Sequence, residues 1–190
     1  MQSHFYAMLS RMKNIYRWGL MRNIRQENLS EHSLEVAFIA HALAVIGNRR
    51  LGKNLDANAI AVAAMFHDTS EILTGDLPTP IKYYNADIKS AYKDIESIAQ
   101  EKLVSLLPQD LKEDFIPVYA PDEKSGKIIK AADKISALIK CIEETQGGNR
   151  EFEAAKKSTL KGIKELGLPE AEIFIDEFVD SFYLPIDDMK

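Results

Sequence analysis

Cysteine is nearly absent from this sequence: among 190 residues there is one, Cys141, set in the helical run ISALIKCIEE. A single cysteine closes no internal disulfide, so the fold must rest on its core. Cys141 itself reads as a small buried hydrophobe in a reducing, cytoplasmic setting. Long apolar runs are also missing, and none approaches the roughly 18 residues needed to cross a bilayer. The N-terminal MQSHFYAMLSRMK lacks an apolar stretch ending in a small-residue cleavage site, so neither a signal peptide nor a membrane partner is expected. Basic excess is lacking as well: 24 Lys and Arg face 29 Asp and Glu, for a formal net charge of -5. That balance argues against a nucleic-acid polymer as partner, which needs an electropositive face, yet a local basic cluster still suits one phosphate. No alternating strand pattern, internal repeat, low-complexity tract or long linker interrupts the chain.

What remains is helix after helix. With 46% hydrophobic and 28% charged residues, the composition is that of a soluble globular protein large enough to bury a core without staples. HFYAMLSRMKNI is amphipathic, and YRWGLMRNIRQEN after it is a linker rich in Arg and Asn. Ser30 is the expected N-cap of EHSLEVAFIAHALAVIGN, where Leu34, Ala37, Phe38, His41, Ala42 and Val45 recur at helical spacing and Gly47 supplies a stop. Asp56 caps a helix through ANAIAVAAMFHDTSEIL that ends before Gly75, and Thr79-Pro80 opens another. Further helices are expected over residues 86–107 and 123–145, then through EFEAAKKSTLKGIKEL, and from Pro169 through AEIFIDEFVDSF. The expected fold is all-α, one domain over residues 1–190.

Ionisable residues break this apolar pattern at few places. The stretch FHDTSEILTGDLPTP (residues 66–80) puts His67 and Asp68 where a packed helix wants hydrophobes. Imidazole nitrogen beside carboxylate oxygen suits a first-row divalent ion. Glu71 follows at i+4 from His67 and i+3 from Asp68, on the same side of a continuous helix. The alternative is a charge cluster at a helix end beside a core histidine. Of the other histidines, His32 opens its helix inside the polar NLSEHS, and His41 lies roughly 180° around the same helix, too far round to share a site. His41 reads instead as a packed histidine on the apolar stripe, and His4 has no evident partner. Asp133 interrupts the apolar side of IIKAADKISALIK, where a carboxylate needs either a metal or an ion pair, with Lys130 or Lys134 at hand.

The order His32, His67-Asp68, Asp133 on separate helices resembles the HD-domain metal-dependent phosphohydrolase superfamily. The segments RWGLMRN, SEHSLEVA, HDTSEILTGDLPTPIKYYN and KAADKISALIKCIEE resemble more closely the bacterial 5′-deoxynucleotidases of the YfbR type. The likeness covers most of the chain and leaves the C-terminal segment uninformative. It implies a helical HD-domain bundle that works as a homodimer. It also implies one divalent cation, Co2+ or Mn2+, held by His32, His67, Asp68 and Asp133 and acting as Lewis acid on a phosphate ester. Glu71 is implied as the proton-handling carboxylate and Arg17 as the phosphate-binding cation. Trp18, His32, Asp76, Thr79, Pro80, Ile81 and Lys82 are the implied contacts to a deoxyribonucleoside 5′-monophosphate. Taken singly, Arg17 and Lys82 read equally as solvated cations, Trp18 as core, and Thr79-Pro80 as a helix start. A dNTP triphosphohydrolase, a cyclic-nucleotide phosphodiesterase and a non-catalytic nucleotide-binding module are the competing functions.

Overall fold

Asn28 and Gly52 set the ends of the long apolar helix, where Ser30 and Gly47 were expected to. In the computed structural model, which describes residues 2–82 and 84–189 apart from the side chain of Thr79, this helix runs Leu29–Leu51. Asn28 Oδ1 accepts from the N–H of Ser30 at 3.0 Å and of Glu31 at 3.1 Å. Glu31 Oε2 accepts in turn from Asn28 N–H at 3.4 Å, which completes a capping box two residues earlier than Ser30 would. At the far end Gly52 adopts φ +66°, and Lys53 N–H closes back on Gly47 O at 3.0 Å. Gly47 lies inside the helix for a packing reason: a Cβ there would sit 2.8 Å from Glu170 Oε1 and 3.3 Å from Leu55 Cδ1.

The chain order is α1 (Phe5–Leu9), a 3-10 turn (Ser10–Asn14), α2 (Leu29–Leu51), α3 (Ala57–Phe66), α4 (Glu71–Thr74), α5 (Thr79–Lys82) and α6 (Ala86–Ser105), then α7 (Lys112–Tyr119), α8 (Glu123–Gln146), α9 (Glu153–Lys164) and α10 (Pro169–Phe178). Among the described residues there is no strand; Tyr16 and Asn28 form an isolated antiparallel bridge. The all-α expectation holds. Asp56 caps α3 as expected, its Oδ1 accepting from Ala59 N–H at 2.9 Å. Between the helices expected over residues 86–107 and 123–145 the chain forms a further one, α7.

One break matters for function. The helix expected to run on through Leu73 ends at Phe66. Thr69 captures the Phe66 carbonyl twice, through Oγ1 at 2.8 Å and N–H at 3.2 Å. Tight pairs then replace the helical ladder: Glu71 N–H to Asp68 O at 3.0 Å and Ile72 N–H to Thr69 O at 3.1 Å. His67 and Asp68 therefore sit in a turn, and Glu71 opens the next helix. Their juxtaposition does not come from one continuous helical face.

The chain forms two compact units. The first comprises the described residues within Met1–Arg22, Gln26–Ser33 and Phe66–Ala120. Its core is Phe5, Leu103 and Leu107, with Phe66 and Phe115 packed on it. Phe115 meets Phe5 edge-on at 5.2 Å between centroids and Phe66 at 6.1 Å. The second unit comprises Asn23–Arg25, Leu34–Met65 and the described residues from Pro121 onward. Its larger core draws Val36, Ala40 and Leu43 from α2, Ile60 from α3, and Ile135, Leu138 and Ile142 from α8.

Most of the expected apolar stripe of α2 is exposed, although Ala37 is buried and Ala42 packs against the core. Leu34 and Phe38 are 49% and 66% exposed, and His41 is exposed, not packed. The face that is buried carries Val36, Ala37, Ile39, Ala40, Leu43 and Ala44. A helix apolar all round gives no single periodicity to read. By length and composition α2 also qualifies as a membrane span, against expectation, with mean hydropathy 1.3 over 18 residues. More than half of that window is buried in the protein, which makes it a core helix.

Replacing Asn28 by Ala removes both capping bonds, and we expect denaturant unfolding to show a loss of about 1 kcal/mol. The Ser30→Ala change is expected to leave the midpoint within error of the parent.

Candidate metal centre

The end of α2's capping box places His32 in its first turn, fully buried. The turn after α3 brings His67 and Asp68 to it. Asp68 Oδ2 lies 3.5 Å from His32 Nε2 and 3.2 Å from His67 Nε2, and the two imidazole centroids are 5.3 Å apart. One donor atom from each of the three residues lies within 4.8 Å of the others. Two imidazole nitrogens and a carboxylate oxygen converging in this way fit a first-row divalent cation. Burial works against the charge on Asp68, but His67 and His32 beside it hold the carboxyl well below its usual range.

A cation and a second carboxylate border this cluster. Arg17 Nη1 is 3.3 Å from Asp68 Oδ2 and its Nε donates to Glu27 Oε2 at 3.1 Å. Glu71 is buried, which excludes a surface charge, and among the described residues its Oε2 meets no hydrogen-bond donor. Burial, then the charges of Asp68 and Asp76, push the Glu71 carboxyl up to about 9, against the pull of Lys82 and Arg17. Asp76 is raised too, first by burial, with Arg17 opposing and Asp68 adding to it. Near neutral pH the uncharged form of Glu71 is therefore the stable one in the metal-free site, and it has a proton to give.

Beside these groups lies a cavity of about 200 Å³, lined by Arg17, Trp18, Met21, Asp76, Pro78 and Pro80. Trp18 is thus a cavity wall. Ile81, on α5, is exposed and does not line the cavity, and the expected contact from the Thr79 side chain falls outside the described residues. Lys82 is not a solvated cation: it pairs with Glu96 at 2.8 Å, lies 4.0 Å from Glu71, and rests over the Tyr92 ring. Burial works against its charge, but the Glu96 hydrogen bond raises its pKa above the usual lysine value. Asp133 lies half-buried on α8 in the second unit, whereas the His32-His67-Asp68 cluster belongs to the first. Sequence inspection missed Glu27 and Glu96, which hold Arg17 and Lys82. Neither stands in a pattern that betrays it, because each acts across the fold.

Comparison with known proteins decides the family. A family model described as 5′-deoxynucleotidase YfbR-like matches residues 4–182. The chain belongs to the YfbR-like 5′-deoxynucleotidase family. A member from Vibrio parahaemolyticus, a 5′-deoxynucleotidase, is 50% identical over 192 residues, covering 100% of this chain and 99% of its own. The 5′-deoxynucleotidase YfbR of Escherichia coli is 50% identical over 194 residues, covering 100% and 96%. Among solved structures, an HD-domain phosphohydrolase from Listeria innocua superposes with a TM-score of 0.82 at 24% identity, covering 94% of this chain and 88% of its own. That likeness shows the HD-domain helical fold for this YfbR-like chain.

Glu71 gives the metal-free protein a pH signature. Its carboxyl binds a proton up to about 9 when folded but only to about 4.5 when unfolded. Between those values the folded state holds the extra proton, so this contribution to stability is full below the lower value and is lost as pH rises through the upper one. We expect the melting temperature of chelator-treated protein to fall across this window, and Glu71→Gln to flatten the fall.

Proposed function

We propose that the protein is a metal-dependent phosphomonoesterase that hydrolyses deoxyribonucleoside 5′-monophosphates to deoxynucleoside and phosphate. The observation that carries this reading is the setting of Arg17. Its guanidinium stands beside the carboxylate of the His32-His67-Asp68 cluster and lines the adjoining cavity. A planar fork of donors there suits a phosphate group at the cluster with a nucleoside in the cavity. The 50% identity to 5′-deoxynucleotidases over the whole chain supports the same substrate class.

His32, His67 and Asp68 would hold the cation, with Asp133 as fourth ligand on the sequence resemblance alone. When bound, Co2+ or Mn2+ supplies Lewis acidity and makes water nucleophilic near neutral pH. Arg17 binds the phosphate oxygens and offsets the charge that grows on them. Glu71, whose ionised form a cation bound beside it would favour, takes a proton from the attacking water and returns it to the departing 5′-oxygen, so that the alcohol leaves uncharged. Trp18 and Pro80 wall the nucleoside, and Asp76 accepts from a sugar hydroxyl. Thr79 and Ile81 are further contacts to it on the sequence resemblance alone, and Lys82 keeps positive charge near Glu71. We further propose a cytoplasmic homodimer. The exposed Leu34, Phe38 and Val45, which share one face of α2, support a partner surface there.

A phosphate-release panel with added Co2+ or Mn2+ tests the function. dAMP, dGMP and dTMP are expected to be cleaved far faster than AMP, and Glu71→Gln to lower kcat by about 10²–10⁴-fold with the cation still bound. Equal rates on AMP and dAMP would remove the deoxyribose selectivity. Tripolyphosphate from a dNTP, or a linear monophosphate from a cyclic substrate, would assign the cluster to another reaction.

A further inference from the structure

Residues 15–17 and 27–29 run antiparallel, closed by Arg17 N–H to Glu27 O at 2.9 Å and Leu29 N–H to Ile15 O at 3.0 Å. The Tyr16–Asn28 bridge lies between these bonds. This pairing sets Glu27 directly opposite Arg17. The Glu27 side chain then reaches across to the same segment twice. Its Oε2 accepts from Arg17 Nε at 3.1 Å and from Trp18 Nε1 at 3.0 Å.

Both recipients are constrained in ways that need such a hold. Trp18 adopts φ +61°, the left-handed region that crowds the Cβ of a side chain, and its carbonyl accepts from Met21 N–H at 2.9 Å in a tight turn. A bulky residue stays in that conformation only where its surroundings over-determine it, and such residues cluster at functional sites. Arg17 is planar at its guanidinium, so pinning Nε to Glu27 while Nη1 faces Asp68 sets the plane of the whole fork. The Arg17 and Glu27 side chains are 12% and 13% exposed, which separates this pair from the weak ion pairs of open surfaces.

We propose that Glu27 is a positioning residue for the phosphomonoesterase reaction. One carboxylate oxygen aims the phosphate-binding guanidinium at the His32-His67-Asp68 cluster and fixes the indole as the cavity wall. Glu27 acts through Arg17 and Trp18 and touches no reacting atom. The proposal rests on the function given above, through the roles assigned to those two residues.

Trp18 is the only tryptophan in the chain, so protein fluorescence reads its setting directly. In Glu27→Ala we expect red-shifted emission, stronger quenching by acrylamide, and a fall in kcat/KM for dAMP of about 100-fold with Mn2+ present. Glu27→Gln keeps an acceptor for the indole but loses the charge that faces Arg17. It is expected to keep the parent emission and still lose kcat/KM, chiefly through KM, and it carries the test should the alanine variant not fold. Unchanged kcat/KM in either variant, or unchanged Trp18 emission and quenching in Glu27→Ala, overturns the proposal. If the parent protein releases no phosphate from any deoxynucleotide, the functional reading fails by itself, while the fluorescence arm still measures whether Glu27 holds Trp18.

Discussion

One carboxylate oxygen, Asp68 Oδ2, is the point on which the site turns. His32 Nε2 at 3.5 Å, His67 Nε2 at 3.2 Å and Arg17 Nη1 at 3.3 Å all meet it. A carboxylate largely withdrawn from water is unfavourable unless positive or coordinating groups surround it. Here they arrive from three separate pieces of backbone: the loop before α2, the first turn of α2, and the turn after α3. Each piece therefore needs its own local device. The Asn28–Glu31 capping box fixes the start of α2, the antiparallel pairing of Arg17 with Glu27 fixes the loop, and Thr69 ends α3 by taking the Phe66 carbonyl.

The same arrangement puts three acidic groups near one another, and burial, followed by the charge of Asp68, pushes the protons of Glu71 and Asp76 back on. Asp68 stays ionised because the histidines face it, while Glu71, behind it, is driven to the neutral form. In the proposed mechanism this divergence separates the two carboxylates, one an anion that ligates and the other a proton carrier. Lys82, held by Glu96, keeps positive charge close to Glu71 and limits the shift. Within the first unit the apolar cluster of Phe5, Leu103 and Leu107 supports α6, which carries Glu96 and Tyr92, so the small core bears on the site as well as on stability.

Much of the site could be read from residue type. His67-Asp68 stood out because an adjacent imidazole and carboxylate contradict an apolar helical pattern, and His32 because it opens an otherwise apolar segment. Asp56 marked a helix start through local backbone chemistry, which the sequence carries directly. The failures were of three kinds. Where α2 is apolar on every side, periodicity favoured Leu34, Phe38 and His41, although the smaller Ala-rich face is the one that packs. Where side chains take over backbone partners, as at Thr69 and Asn28, the helix boundaries moved. Glu27 was illegible for a third reason: it gains meaning only once residues 15–17 and 27–29 are paired.

The central claim is that the first unit assembles one cation site from His32, His67 and Asp68. Anomalous diffraction from a crystal loaded with Zn2+ or Mn2+ tests it most directly. A single strong peak is predicted at coordination distance, about 2.0–2.2 Å, from both imidazole Nε2 atoms and an Asp68 oxygen. A loaded crystal with its peak elsewhere, or with no peak among these three side chains, would contradict the account.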